Sequence, residues 1–330
     1  MLRLHRPSAS MPKIPSGLTW LNSPEISLSL LQGHPVLIHF WTYSCIHSLR
    51  TLSYIRRWQQ IYEPFGLKIV SVHTPEFSFA KDESAVRQII SDLEITYPVV
   101  LDPDYVVWKA FNNTYWPRTL ILNSTGQVVY DHAGEGSYAE GELALQQALL
   151  KSGATNLPAI GPDASLGGSH CYRVTPEISL GYLRGSIGNI RQFTPNAEEA
   201  FTDQGAAEEG VPYLHGHFAL KSESVEHTRA LAGHQEYLRL KYRAFGVHAV
   251  LQSLGPSAEV IVRLDGKPVP ADFLGPDLRP RGADDETVVI VQAGRMYHLI
   301  KANVYHVGTL ELRFANKGLN VFTVIFDSCL

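Results

Sequence analysis

Cys45 is the residue of this 330-residue chain whose placement most directly implies chemistry. It lies in Trp41-Thr42-Tyr43-Ser44-Cys45-Ile46-His47-Ser48, which has the spacing of a Cys-x-x-Cys redox pair with serine in the fourth place. A strand-like apolar run, Val36 to Phe40, precedes it, and Leu49 to Tyr62 follows with Leu49, Leu52, Ile55, Trp58 and Tyr62 at helical spacing. A thiol where a strand hands over to a helix meets unpaired backbone N–H groups and the positive end of the helix dipole, and both favour the thiolate. His47, two residues on, adds positive charge when it is protonated. Exchange through a dithiol needs a second thiolate to resolve the mixed disulfide formed by the first. Ser48 cannot act as one, because its hydroxyl is neither acidic nor soft enough to attack a disulfide near neutral pH, although it can hydrogen-bond the sulfur. Cys45 is therefore expected to form a mixed disulfide, to be oxidised to a sulfenic acid, or to exchange with a small thiol that resolves it from outside.

The elements that must hold this thiol are legible on both sides of it. From Pro35 to about Lys151 short apolar runs alternate with helical stretches, as in a parallel α/β sheet. Leu67 to Val72, Pro98 to Leu101 and Arg118 to Leu122 read as strands, and Gln127 to His132 pairs back through the turn Asn123-Ser124-Thr125-Gly126. Ser84 to Leu93, Tyr105 to Phe111 and Tyr138 to Leu150 read as helices. The segment 152–168 is rich in Gly, Pro, Ala and Ser and reads as a linker. Beyond it, His234 to Val250, Ala258 to Leu264, Glu286 to Gln292, Met296 to Lys301, Thr309 to Phe314 and Leu319 to Phe326 are β-rich and separated by turn residues such as Asp265-Gly266 and Ala293-Gly294. That spacing predicts an antiparallel sandwich. The division expected is 1–151, a linker at 152–168, and 169–330.

Composition narrows the function classes. A chain of this length exceeds the size at which one core stops growing, which favours two domains. A net charge of −4 leaves no basic footprint for nucleic acid, and no apolar segment approaches the ~20 residues of a membrane helix. The first 17 residues lack the apolar stretch of a secretory signal, so the sequence as written reads as cytoplasmic, and as extracytoplasmic only if a leader has been removed. Three cysteines are too few for a disulfide framework, and pairing of Cys171 with Cys329 stands beside two buried free thiols as an open alternative. His215, His217, His227 and His234 lack the ligand spacing of a metal site. Asn112-Asn113-Thr114 and Asn123-Ser124-Thr125 match the glycosylation pattern, which is common by chance.

Five blocks in order carry a resemblance: Trp41 to Cys45, Val72-His73-Thr74-Pro75-Glu76-Phe77, Tyr97-Pro98-Val99-Val100-Leu101-Asp102, Tyr115-Trp116-Pro117 and Gly134-Glu135-Gly136. Together they resemble the thioredoxin-like domain of DipZ-type and TlpA-type thiol-disulfide oxidoreductases. Thr175-Pro176-Glu177, Leu180-Gly181-Tyr182, Leu264-Asp265-Gly266 and Arg295-Met296-Tyr297 extend the likeness to the carbohydrate-binding-module-like, jelly-roll-like β-sandwich that follows that domain in DipZ-type proteins. The resemblance implies that Cys45 is the attacking thiol, that Ser48 stands where the resolving cysteine belongs, and that Pro117 is a cis-proline beside the sulfur. It puts Glu76 near the motif as a proton carrier and His47 and Trp116 where a substrate would be met, with Trp41 expected to pack beside the site and substrate contact as its second role. It implies a protein thiol or disulfide as substrate, no cofactor, and a glycan or protein partner for the sandwich, for which Tyr172, Tyr182, Tyr213 and Tyr297 are the available aromatics. The competing expectation is a binding protein that has lost redox turnover and acts through its sandwich. A peroxidase fits less well, because Ile38 occupies the proline position of a Pro-x-x-x-Thr-x-x-Cys layout in which Thr42 otherwise fits.

Overall fold

The computed structural model describes residues 13–160, 171–205, 208–282 and 286–329. The chain divides into two compact units, Met1–Gly168 and Ser169–Leu330.

In the first unit six strands form one sheet: β1 (Trp20–Leu21), β2 (Val36–Trp41), β3 (Lys68–His73), β4 (Val99–Leu101), β5 (Arg118–Leu122) and β6 (Val128–Ala133), in the spatial order β1-β4-β3-β2-β5-β6. The centre, β4-β3-β2, is parallel, while β1, β5 and β6 pair antiparallel, so the sheet is mixed rather than purely parallel. A tight hairpin can only return its second strand antiparallel, and the β5–β6 turn imposes that on its edge. Among the described residues four α-helices flank the sheet: α1 (Ile46–Tyr62), α2 (Glu83–Asp92), α3 (Val106–Ala110) and α4 (Tyr138–Lys151).

Alternate strand residues face opposite layers. Leu37, Trp41, Ile69, Val99, Leu101 and Ile121 pack in one cluster with Leu52, Ile55 and Trp58 of α1, Val86 and Ile90 of α2, and Leu145 and Leu149 of α4. Val36, Ile38, Phe40, Val70, Val72, Val100 and Leu120 pack in another with Val107 and Trp108 of α3. Strands buried on both faces read as near-continuous apolar runs, which is why they stood out in the sequence. Asp102, fully buried, accepts the N–H groups of Val107 and Trp108 at 2.9 and 2.8 Å and the Thr74 hydroxyl at 3.1 Å, so one carboxylate ties the start of α3 to the end of β3. α1 begins at Ile46, three residues before the Leu49 start read from the sequence, and Ile46 is itself buried on the apolar face. Ala154 and Leu157, inside the segment read as a linker, pack against the first unit's core.

The second unit is all β, with β7 (Ile178–Ser179), β8 (Glu198–Phe201), β9 (Pro212–Leu220), β10 (Val225–His227), β11 (Glu236–Ser253), β12 (Ala258–Leu264), β13 (Lys267–Pro268), β14 (Leu278–Arg281), β15 (Glu286–Val291), β16 (Arg295–Phe314) and β17 (Leu319–Asp327). Its strand ladders are antiparallel and form one continuous sheet. Two long strands carry the chain around the core. Glu236 to Ala244 of β11 pair with His306 to Phe314 of β16, and Gly246 to Leu251 pair with Arg295 to Lys301, so residues 302–305 bulge out opposite Phe245. Local pattern split β16 into two strands, whereas the structure runs them as one, with His306 to Gly308 paired to Tyr242 to Ala244 and the bulge at 302–305 between the two ladders. Leu238, Leu240 and Tyr242 meet Leu310, Leu312 and Phe314, with Val260 and Val262, in a single core. The open question about the two remaining cysteines closes here: Cys171 and Cys329 form a disulfide, with Cα atoms 4.6 Å apart. Among the described residues no helix is long and apolar enough to cross a membrane.

Candidate functional site

Cys45 is the N-cap of α1, with extended backbone (φ −106°, ψ 119°), and its carbonyl accepts the Leu49 N–H at 3.1 Å. β2 ends at Trp41, so the loop Thr42 to Ser44 turns the chain from the sheet into the helix and sets the thiol beyond the C-terminal end of a central strand. The Cys45 Sγ lies 4.0 Å from the Trp116 carbonyl oxygen, and the Trp116–Pro117 peptide is cis. Trp116 is fixed by its Nε1, which donates to the Thr74 carbonyl at 2.9 Å, and by packing on Trp108 at 4.3 Å between ring centroids. Pro117 presents its own carbonyl to the Gly134 N–H at 2.7 Å.

Ser48 is fully buried, and its Oγ accepts the Thr42 N–H at 3.4 Å. The fourth place of the motif is thus a structural hydroxyl that braces the loop carrying the thiol. Glu76 reaches this loop through Ser44, whose hydroxyl donates to Oε2 at 3.5 Å, and Ser44 lies 3.3 Å from the Thr42 hydroxyl. Trp41 does not face a substrate: it is fully buried and meets His73 edge-on at 5.1 Å. Its position on β2 points it into the α1 core, so it supports the site from beneath. His73 also stacks on Tyr43 at 5.5 Å. Burial holds both His73 and His39, one strand over, at a pKa of about 3, so both rings stay neutral in the folded chain near neutral pH.

The site extends to residues that side-chain chemistry alone did not single out. His47 Nδ1 donates to Glu135 Oε2 at 2.7 Å, and Arg50 Nη1 lies 3.5 Å from the same oxygen. Tyr138, at the start of α4, sits 3.2 Å from the Thr51 hydroxyl, which donates to the His47 carbonyl at 2.8 Å. The signal for Glu135 was present as a charged residue between two glycines, but nothing local connects it to a motif 88 residues away.

In the second unit Tyr213 and Tyr297 are buried and Tyr182 is half-buried, whereas Tyr172 is 51% exposed and stacks on Tyr305 at 4.8 Å. His217 and His227 share the carboxylate of Glu236 at 2.8 Å each, His215 stacks on Tyr237, and His234 lies 3.3 Å from the Glu259 carbonyl. Among the described residues no group of three or more His, Cys, Asp or Glu is arranged to hold a metal ion.

A thioredoxin-like α/β domain carrying one free thiol at a strand-to-helix turn, followed by an all-β domain, is the class that this topology and site define. Comparison with known proteins agrees: residues 8–144 match the Redoxin family and residues 175–326 the family described as "Thioredoxin like C-terminal domain". The chain is similar to proteins named as thiol-disulfide oxidoreductases. It is 31% identical to Protein DipZ of Mycobacterium tuberculosis over 326 residues, covering 94% of this chain and 42% of that protein. It is 29% identical to the thiol-disulfide oxidoreductase YkuV of Bacillus subtilis over 133 residues, covering 40% of this chain and 87% of that one. Among solved structures, a thioredoxin-like protein in the oxidised form is 28% identical, with a TM-score of 0.39, covering 46% of this chain and 99% of that chain. The chain therefore spans about two fifths of the length of the DipZ protein it matches.

Proposed function

We propose that this chain exchanges thiols and disulfides through Cys45 alone, with a thiol from solution taking the part of the missing second cysteine. The observation that carries this reading is the pairing of a half-buried thiol at the start of α1 with the Trp116–Pro117 segment, while a buried serine holds the fourth place. In the first half of the cycle the Cys45 thiolate attacks a substrate disulfide, and the substrate's other sulfur leaves as a thiol. In the second half a small thiol attacks the mixed disulfide and frees Cys45, so one disulfide is exchanged for another without net oxidation. Glu76, joined to the loop through Ser44, is the carboxylate closest in sequence role to a proton carrier for the first half. The Cys171–Cys329 bond favours an oxidising compartment as the working environment.

The test compares the chain with its Ser48→Cys variant in a disulfide-reduction assay with a dithiol-free reductant, with Cys45 adducts followed by intact mass. The proposal expects a persistent mixed disulfide in the Ser48 chain that free thiol removes, and faster turnover in the variant. A Cys45 that stays unmodified by disulfides and by alkylating agents in mildly alkaline buffer sinks it. A second reading rests on exposed Tyr172, stacked on half-buried Tyr305: the sandwich docks a glycan or a protein independently of the thiol. Glycan-array or pull-down binding that is unchanged in Cys45→Ala supports that reading.

A further inference from the structure

The exchange cycle leaves one task unassigned. A small thiol arriving from solution carries a proton, and its attack on the mixed disulfide is fast only once that proton has gone. Ser48 cannot take it, being buried with its oxygen turned to the Thr42 N–H. His47 has the chemistry and the location: it sits in the first turn of α1, two residues from the sulfur, with its side chain 43% exposed to the solvent from which the thiol must come. An imidazole serves as a base through one nitrogen only if the other holds the proton, and its hydrogen-bond partner decides which.

That partner is Glu135, and its loop is built to present it. Gly134 and Gly136 on either side adopt φ of +93° and +102° with open space where a Cβ would stand, so the turn itself, not crowding, calls for glycine. The loop hangs from the Gly134 N–H on the Pro117 carbonyl and is braced by Tyr138, which stacks on Tyr54 of α1 at 3.5 Å. The carboxylate then accepts from His47 Nδ1 and pairs with Arg50. We propose that Glu135 is a positioning residue for thiol exchange: it holds the His47 proton on Nδ1 and leaves Nε2 to take the proton of the incoming thiol. This rests on the reading of Cys45 as a thiol resolved from outside. In the step, the S–H bond of the incoming thiol breaks and its proton goes to His47 Nε2. A new S–S bond forms to the outer sulfur of the mixed disulfide, and the bond to Cys45 breaks with its electron pair left on Sγ. Nε2 then returns the proton to bulk solvent.

The test uses the full chain with Cys45 loaded as its 2-mercaptoethanol mixed disulfide. Excess 2-mercaptoethanol is added, and the return of the unmodified mass is followed after acid quench across pH 6 to 9. Glu135→Ala is expected to slow resolution about tenfold, less than the ~10²–10⁴ of an entire general base because only orientation is lost. Glu135→Gln, whose amide oxygen still accepts from Nδ1, keeps most of the rate. His47→Gln removes the base itself and slows resolution further, by ~10²–10⁴, and adding Glu135→Ala to His47→Gln costs nothing more. An unchanged rate in Glu135→Ala, or an equal cost with and without His47, overturns the inference. If Glu135→Ala does not fold, the ¹⁵N spectrum of His47 in the unaltered chain decides: the proton on Nδ1 supports the assignment, and a neutral ring with it on Nε2 overturns it. A loaded chain that never sheds its adduct overturns the exchange reading itself, which separates that failure from a failure of Glu135 alone.

Discussion

Removing the Cys171–Cys329 bond, as Cys171→Ala with Cys329→Ala, should cost the second unit more than any single core truncation. The bond joins residues 158 apart in sequence and so closes nearly the whole unit into one loop. In the chain-entropy treatment a loop of 158 residues removes about 17 cal/mol/K from the unfolded ensemble, or about 5 kcal/mol at 25 °C, the top of the range that disulfides deliver. Against a typical domain stability of ~5–15 kcal/mol this is a third or more of the total. With a urea slope of about 2 kcal/mol/M, the unfolding midpoint of the second unit should fall by about 2.5 M. The assay separates the units cleanly, because all five tryptophans lie between Trp20 and Trp116. Tryptophan fluorescence therefore reports the first unit, and the far-UV β-sheet signal remaining after that transition reports the second. The expected result is a large downward shift of the β signal with the tryptophan transition unmoved. A β-signal midpoint within ~0.3 M of the unaltered chain would refute the reasoning, since it would mean that the unfolded second unit is already as restricted without the bond as with it.

The remaining predictions concern the first unit. His39 and His73, held at a pKa of about 3 by burial, bind fewer protons folded than unfolded between pH 3 and 6.5, so their contribution is complete above 6.5 and lost as pH falls. At pH 5 the loss is about 2 kcal/mol for each, and a tryptophan-detected urea midpoint that is flat between pH 7.5 and 5 would contradict the burial of the two rings. Asp102→Ala leaves the N–H groups of Val107 and Trp108 without their acceptor inside the fold and should cost about 2–3 kcal/mol, read by the same fluorescence transition. Trp41→Ala opens a cavity under α1 and should cost about 3–5 kcal/mol while leaving the Cys45 alkylation rate of the folded chain within a few-fold, whereas a substrate-contacting tryptophan would show the reverse pattern.

The strands β2, β3, β4 and β5 were legible in the sequence because each is buried on both faces and is written in consecutive apolar residues. The position of Cys45 was legible for a similar reason: the strand stops, polar residues turn, and helical spacing begins. β8, β9 and β10 were not read at all, because Glu198 to Phe201 and Pro212 to Leu220 mix polar, histidine and glycine residues and become strands by pairing with one another and with β17 and β11. The role of Trp41 depended on which way one strand residue points, and the sheet turned it inward.

By itself the sequence determined a strand-to-helix thiol with a hydroxyl in the fourth place, an α/β half and a β half, because periodicity and residue chemistry are local properties. Tertiary structure alone decided that Cys171 and Cys329 meet across 158 residues, that the Trp116 carbonyl lies 4.0 Å from the sulfur, and that Glu135 holds His47 from 88 residues away. Each of those contacts exists only after the sheet has closed the distance, and no pattern along the chain encodes it.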